Sequence, residues 1–350
     1  MPDHAELPGL DLTRLRGYLD LHHPGLAVGE LRAELIASGR SNLTYRLADD
    51  VHRWVLRRPP LGHVLATAHD MVREHRVISA LAGTAVPVPG VVLICAQVSV
   101  LGAPFYLMEQ VVGEVYRRPD QLVTIGAERT ATVGRNLVDT LAGLHAVDPA
   151  GVGLADFGRP AGFLQRQVRR WSGQLQQSTS RELPGMPRLQ HWLTGELPDS
   201  PEATVLHGDF RLDNVIVGAD DAVAAVLDWE MSTLGDPLTD VGLMVVYRDQ
   251  VLGGDDSPVA NAATAPGFPT AEELVARYAE VTGRDVSRLG WYVAFAYFKL
   301  AVILEGIHYR FQQGQTVGGG FDRVGELVGP LVDAGLAATA RSGNQGSGNN

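Results

Sequence analysis

Short apolar runs separated by polar turns fill the N-terminal third of the chain. Runs of this length, bounded by glycine, proline and other turn residues, are typical of β-strands. They predict five strands, at residues 31–36, 43–47, 54–57, 91–94 and 103–108. Between the third and the fourth, residues 69–81 carry apolar side chains at helical spacing. The pattern therefore predicts a small sheet and one helix.

The spacing of apolar residues becomes helical from about Gly126 onwards. The predicted helices lie at residues 130–145, 161–177, 189–193, 271–281 and 286–313. We interpret the aromatic residues of the last helix as core, with a share of them left open to an acceptor pocket. Residues 249–270 are rich in glycine, proline and alanine and predict a long loop. The polar segment 341–350 predicts a disordered tail.

Four polar residues stand among short apolar runs in the stretch VLHGDFRLDNVIVGADDAVAAVLDWE: His207, Asp209, Asn214 and Asp228. The runs on either side predict strands, and Gly218–Asp221 predicts the turn of a hairpin. Because a hairpin brings its ends together, Asn214 and Asp228 can point at one place. Asp209 or Asp228 taken alone is typical of solvated surface, but the four polar residues and their spacing together indicate a functional site.

An amide oxygen and a carboxylate are hard ligands that suit Mg²⁺, which keeps waters and phosphate oxygens for its other positions. Asp209 is then left to receive a proton from a substrate hydroxyl. The HxDxxxxN spacing is that of the catalytic loop of protein kinases. We therefore predict Asp209, Asn214 and Asp228 as the catalytic residues, with Asn214 and Asp228 as metal ligands.

The segments HGDFRLDN, LDWE and GDPLTD resemble the aminoglycoside phosphotransferase family. Together with VLRRPP upstream, they are most similar to the branch related to domains fused with acyl-CoA dehydrogenases. The resemblance covers roughly residues 20–330. It implies an α/β (α+β), two-lobed, protein-kinase-like fold that binds ATP and Mg²⁺, with ATP between the lobes. The implied divisions are a small antiparallel-sheet lobe at 1–108, a hinge at 109–113, a mainly helical lobe at 114–340 and the tail at 341–350.

The resemblance also implies roles for individual residues. Arg57 occupies the place of the phosphate-binding lysine of kinases, and Glu74 is the helix carboxylate that pairs with it. Ser41 and Asn42 lie where a loop covers the nucleotide phosphates. The remaining nucleotide contacts are made by Met108 and by the backbone of Glu109 and Val111. The substrate-side residues are Trp229 and Glu230. His207, Asp236 and Asp240 are expected to hold the loop in place.

The net charge, 29 basic minus 40 acidic residues or −11, argues against nucleic acid and anionic membrane surfaces as partners. A single cysteine excludes an intramolecular disulfide and a thiolate metal cluster. The eleven histidines match no zinc pattern. The N-terminus has no basic stretch followed by an apolar one, so we expect a cytoplasmic protein. The oligomeric state stays open.

These observations predict a kinase that moves the γ-phosphoryl group of ATP to a hydroxyl of a small molecule. The acceptor is either a hydroxyacyl-CoA-like metabolite or an aminoglycoside, with choline- and homoserine-like alcohols also open. The alternative is a catalytically silent nucleotide-binding relative, which the replacement of the usual lysine by Arg57 keeps open.

Overall fold

The computed structural model describes residues 7–38, 42–61, 70–200, 203–248, 260–315 and 321–345. The chain divides into two compact units. The first unit comprises Met1–Val112 and Ala224–Ser232, and the second comprises Gly113–Val223 and Thr233–Asn350. Each unit is therefore made of two separate stretches of chain. The division of the chain into lobes around a hinge at residues 109–113 stays a prediction.

The first unit contains a five-stranded antiparallel sheet in the order β1-β2-β3-β5-β4. Its strands are β1 (Arg32–Ser38), β2 (Leu43–Ala48), β3 (Arg53–Arg58), β4 (Val91–Cys95) and β5 (Phe105–Glu109). Its helices are α1 (Leu12–His22), α2 (Met71–Leu81) and α3 (Val98–Leu101). Alternate residues of β2, among them Tyr45 and Leu47, are fully buried and build the core with Leu56 of β3.

The second unit is mainly helical and also contains short strands. Its helices are α4 (Pro119–Ile125), α5 (Ala127–His145), α6 (Phe163–Ser178), α7 (Met186–Gly195), α8 (Leu238–Arg248), α9 (Ala271–Thr282), α10 (Leu289–Gln312) and α11 (Val328–Gln345). Strand β6 (Thr204–Leu206) pairs with β9 (Thr233–Gly235). Strands β7 (Val215–Val217) and β8 (Val223–Val226) form a hairpin at the point where the chain passes from the second unit to residues 224–232 of the first. The predicted hairpin is therefore present, and its turn closes with a bond from the Gly218 N–H to the Ala222 carbonyl.

Helix α10 is the central helix of the second unit and packs against α6, α8 and α11. It is apolar around most of its circumference, as expected for a helix surrounded by protein. In the described part of the chain it alone has the length and hydropathy of a membrane span, and 78% of its most apolar window is buried. A buried core helix passes the same test, and the absence of a membrane partner stays a prediction.

Two segments are more ordered than their composition predicts. Helix α11 continues to Gln345, five residues into the segment expected to be a disordered tail. Once its apolar turns are packed on α10, each further helical residue adds a hydrogen bond without a new nucleation cost. In the expected loop at 249–270, residues 249–259 lie outside the described residues. The remainder forms a short 3₁₀ turn at Ala262–Thr264 and buries Phe268.

The close approach of α8 and α10 depends on Gly242. A Cβ atom placed on Gly242 would lie 2.7 Å from the backbone carbonyl of Tyr292. We expect Gly242→Ala to destabilise the protein by about 1–3 kcal/mol, because the two helix backbones must move apart. Urea unfolding followed by circular dichroism measures this. Gly143→Ala in α5 is the control, because its new methyl group meets nothing within 4 Å. Gly143→Ala should stabilise the protein by about 0.5–1 kcal/mol. An equal loss of unfolding free energy in the two variants would contradict the packing argument.

Candidate functional site

The loop His207–Asn214 of the second unit is held by one buried carboxylate. The backbone N–H groups of His207 and Gly208 donate to the two oxygens of Asp240, each at 2.8 Å. Asp240 lies in the first turn of α8. Gly208 has a φ of 82°, a left-handed conformation that favours glycine. The predicted bracing role of Asp240 is thus visible as two hydrogen bonds to the loop.

Asp240 is fully buried and has a histidine beside it. His145 Nε2 lies 3.4 Å from one Asp240 oxygen, and His145 Nδ1 lies 2.7 Å from the Tyr278 hydroxyl. Burial acts to raise the pKa of the Asp240 carboxyl, but the hydrogen bonds from His145 and from the His207 amide outweigh it and the pKa is lowered. Burial lowers the pKa of His145, which favours the neutral ring. His145 is a structural residue of the core.

Asp236, the other carboxylate of the GDPLTD segment, stabilises the start of α8. It accepts a hydrogen bond from the Leu238 N–H at 2.9 Å and another from the Tyr292 hydroxyl at 2.7 Å. These bonds satisfy an amide at the helix start and join α8 to α10. Asp236 is thus a structural residue, and Asp240 is the one that reaches the loop.

Asp209 and Asn214, both predicted as catalytic, lie side by side in this loop. The Asn214 Nδ2 group donates to Asp209 Oδ2 at 3.2 Å and to the Asp209 carbonyl at 2.9 Å. The Asp209 N–H donates in turn to His207 Nδ1 at 3.2 Å. His207 therefore orders the loop, as expected. Because both donor bonds of Asn214 point at Asp209, its Oδ1 atom is the one left to ligate a metal.

A tyrosine that the sequence did not single out donates to the predicted base. The Tyr247 hydroxyl, at the end of α8, lies 2.6 Å from Asp209 Oδ1. Burial, followed by the charge of Asp209, raises the pKa of Tyr247, so the phenol stays protonated and acts as the donor. Arg211 lies over the Tyr247 ring at 4.6 Å and pairs with Asp213. Both oxygens of Asp209 thus accept hydrogen bonds from fixed groups.

Lys299 was also not predicted from the sequence, although its residue type could have drawn attention to it. It is the only lysine among 29 basic residues. It lies in the middle of α10, is 7% exposed and donates from Nζ to the Gly208 carbonyl at 2.7 Å. Its ammonium also lies 5.6 Å from the centre of the Trp171 ring. Burial lowers the pKa of Lys299, and the charges of Asp209 and Asp240 act in the opposite direction.

The first unit brings the predicted phosphate-binding residues together. Arg57 Nη2 on β3 lies 3.2 Å from Glu74 Oε1 on α2 and also contacts Asp228. Glu74 is 1% exposed, and its other oxygen accepts from the Tyr106 hydroxyl at 3.0 Å. Burial acts to lower the pKa of Arg57, but the neighbouring carboxylates outweigh it and the pKa is raised.

Hard oxygen ligands surround this guanidinium. Single oxygen atoms of Glu74, Asp228 and Glu230 lie within 4.8 Å of one another. Asp228 adopts a left-handed conformation with φ 63° at the start of a 3₁₀ turn. Such strain in a residue other than glycine is found at functional sites. The donor set suits Mg²⁺ chemically, and the role of Asp228 as its ligand stays a prediction.

The structure corrects the role expected for Trp229. Its side chain is 1% exposed, and its indole N–H donates to the Val226 carbonyl at 3.0 Å. An indole held in this way is part of the core and not a substrate-side residue. Glu230 is partly exposed and accepts from Asn42 Nδ2 at 3.2 Å. The side-chain amide of Asn42 therefore donates a hydrogen bond to Glu230. Ser41 lies outside the described residues.

The predicted adenine contacts lie at the end of β5. Met108 is buried. The Glu109 N–H donates to the Gly90 carbonyl at 2.8 Å, which leaves the Glu109 carbonyl as the group that can face a ligand. The Gln110 N–H donates to the Arg53 carbonyl, and Val111 lies beyond the end of the strand. The contacts of Met108, Glu109 and Val111 with a nucleotide stay predictions.

A small antiparallel sheet with a paired arginine and glutamate, followed by a helical unit with an HxDxxxxN loop, defines a kinase-like phosphotransferase. The model of the phosphotransferase enzyme family matches residues 32–279. The chain therefore belongs to this family.

Relatives and solved structures agree with this assignment. Acyl-CoA dehydrogenase family member 11 of Rattus norvegicus is 35% identical over 98% of this chain, which corresponds to 44% of that protein. The chain thus spans less than half the length of this relative. A crystal structure of "a putative aminoglycoside phosphotransferase" from Ralstonia eutropha JMP134 is 31% identical, with a TM-score of 0.81 and coverage of 95% and 98% of the two chains. A thermostable mutant of aminoglycoside phosphotransferase APH(4)-Ia, in complex with ADP and hygromycin B, shares the fold. Its identity is 16%, its TM-score 0.62 and its coverage 88% and 94%.

We expect Asp240→Asn to destabilise the protein by about 2–4 kcal/mol at pH 7, because an amide replaces one of the two acceptors of the loop N–H groups. The folded pKa of Asp240 is lowered, so its contribution is complete above the unfolded value of about 3.9 and is lost as pH falls through the folded pKa. The difference in unfolding free energy between wild type and variant should shrink in that acid range.

Urea titrations from pH 7 to pH 3 measure this difference. Asp285→Asn is the control, because Asp285 is exposed and contacts only Ser287 through its carboxylate among the described residues. It should cost less than about 1 kcal/mol. A difference for Asp240→Asn that is independent of pH would mean that the charge of the carboxylate does not hold the loop.

Proposed function

We propose that the chain is an ATP- and Mg²⁺-dependent phosphotransferase that moves the γ-phosphoryl group to a hydroxyl of a small molecule. The observation that carries the proposal is the position of the Asp209 carboxylate. It is fixed in a family-typical loop beside an asparagine whose Oδ1 remains available. A carboxylate held in this way can orient an acceptor hydroxyl and receive its proton.

The proposed reaction is a displacement at the γ-phosphorus atom. The acceptor oxygen forms a bond to phosphorus, the bond from phosphorus to the β–γ bridging oxygen breaks, and ADP leaves. The acceptor proton passes to Asp209. Arg57, held by Glu74, binds phosphate oxygens of ATP, and Asn214 and Asp228 hold Mg²⁺. The metal supplies charge neutralisation on the phosphates when it is bound.

The choice of acceptor rests on a relative and not on local charge. Arg211 pairs with Asp213, and the charges of Asp209 and Asp240 act on Lys299, so the charges near Asp209 do not separate an anionic acceptor from a polycationic one. The name of the rat relative, an acyl-CoA dehydrogenase family member, supports a hydroxyacyl-CoA-like acceptor over an aminoglycoside.

The silent nucleotide-binding relative stays the second candidate because of Arg57. Its guanidinium contacts Asp228, the carboxylate that we assign to the metal. A protein in which this contact persists would bind nucleotide without using Mg²⁺. Metal dependence of nucleotide binding therefore separates the two proposals.

We expect Mg²⁺–ATP to raise the melting temperature of the wild type, and ATP with EDTA to raise it much less. Arg57→Gln should remove most of this shift, because a neutral amide lacks the charge that attracts the phosphates, and Arg57→Lys should keep part of it. Thermal shift assays measure the melting temperature of the wild type and of both variants with Mg²⁺–ATP, and of the wild type with ATP and EDTA. Arg32→Gln, an exposed arginine of β1, is the control. Equal stabilisation with and without metal would favour the silent relative.

We expect phosphoryl transfer to hydroxyacyl-CoAs and not to aminoglycosides, choline or homoserine. Asp209→Asn should lower the rate about 10²–10⁴-fold, because the proton acceptor is lost. ADP release coupled to mass spectrometry of the acceptor measures transfer directly. Asp139→Asn, a carboxylate of the second unit that pairs with Arg277 away from this loop, is the control for a general charge effect. Transfer to aminoglycosides alone would refute the proposed acceptor, and ADP formation that is insensitive to Asp209→Asn would refute the assigned base.

A further inference from the structure

We propose that Tyr247 and Lys299 are positioning residues for Asp209, acting from α8 and α10 respectively. The inference rests on the proposed function, since it assigns how the base of that reaction is held. Neither residue belongs to the motifs that identify the loop. Both lie in the second unit, as does Asp209.

The contact of Tyr247 orients the carboxylate itself. Its hydroxyl lies 2.6 Å from Asp209 Oδ1, while Asn214 Nδ2 lies 3.2 Å from Oδ2. Two donors on two different oxygens fix the rotation of the carboxylate plane. The tyrosine ring is itself clamped by Arg211, whose guanidinium lies 4.6 Å above it. A hydrogen bond to an ionised acceptor is strong, and each carboxylate oxygen keeps a lone pair for an acceptor hydroxyl.

The contact of Lys299 fixes the backbone of the loop and places a positive charge beside it. Its Nζ lies 2.7 Å from the Gly208 carbonyl, one residue before Asp209. The N–H of the same residue is bonded to Asp240, so both polar backbone groups of Gly208 are held by charged side chains. The ammonium carries no other hydrogen bond to the described residues. A buried lysine with one hydrogen-bond partner is costly, and this one is the single lysine of a chain that otherwise uses arginine.

Geometry explains why misplacing Asp209 would slow the reaction. A proton acceptor works only within hydrogen-bond reach of the reacting hydroxyl, and a shift of about 1 Å costs up to about 10²-fold in rate. ATP binding does not depend on that placement. Loss of a positioning residue should therefore lower kcat and leave the KM for ATP unchanged.

Tyr247→Phe should lower kcat by about 10-fold or more, with an unchanged KM for ATP. Tyr292→Phe is the matched control. It removes a tyrosine–aspartate hydrogen bond of nearly equal length, 2.7 Å, at the structural residue Asp236. The control should lose similar thermal stability but keep its kcat. Equal kcat in the two variants would overturn the role of Tyr247.

Lys299→Met should likewise lower kcat, by about 10–100-fold, because the loop carbonyl loses its donor and Asp209 its neighbouring charge. Methionine fills a similar volume and leaves no buried charge, so the variant is expected to fold. In an Asp209→Asn background, neither Tyr247→Phe nor Lys299→Met should lower the residual rate further. A similar loss in that background would show that the two residues act through general stability.

A measurement without turnover uses the fact that Lys299 is the only lysine. Protein grown with ¹³Cε-labelled lysine gives one ε-methylene signal from the whole chain. We expect Asp209→Asn and Tyr247→Phe to shift this signal and Tyr292→Phe to leave it in place. A signal that is insensitive to Asp209→Asn would overturn the role of Lys299. If the wild type forms no ADP that depends on Asp209, the proposed function fails and this inference fails with it, whereas the NMR contact would still be seen.

Discussion

The structure of the second unit depends on one buried carboxylate, that of Asp240. Its two oxygens accept the N–H groups of His207 and Gly208, which would otherwise be unsatisfied in the interior. An ionised group buried at this depth is tolerated only because several donors surround it. His145 completes that set, and its own burial keeps it neutral. Since the loop that carries Asp209 begins at these two amides, the position of the predicted base follows from a charge that takes no part in the reaction.

The sequence predicted what local spacing determines. The hairpin that follows Asn214, the helix with Glu74 and the strand with Arg57 were visible because strand and helix periodicity and turn residues are local properties. Tyr247 and Lys299 were not predicted, since their roles arise from packing across residues far apart in the chain. Tyr247 reaches Asp209 from a position 38 residues away, and Lys299 reaches Gly208 from 91. Trp229 was misplaced for the same reason, because adjacency to a predicted metal ligand does not specify the direction of a side chain.

Helix α10 shows how one element serves stability and chemistry together. Most of its residues are buried hydrophobic and aromatic side chains, and its packing against α6, α8 and α11 makes it the core of the unit. A lysine at its centre is the exception to that pattern. Placing a charge in such a helix costs stability, and a site built on a rigid helix is held more precisely than one built on a loop. The buried ammonium is therefore where the second unit departs from the rules of core packing, as functional sites do.

The replacement of lysine by arginine at residue 57 changes what the carboxylates around it must do. A guanidinium is planar and presents several donors, so it can contact Glu74 and Asp228 with the same nitrogen. A lysine offers a compact charge that is more easily moved between partners. If Asp228 holds Mg²⁺ as proposed, its contact with Arg57 would be exchanged for one with the metal, while Glu74, buried and bonded to Tyr106, keeps the arginine in place. The pairing of Arg57 with Glu74 is thus the fixed contact, and that with Asp228 is the one that a metal would replace.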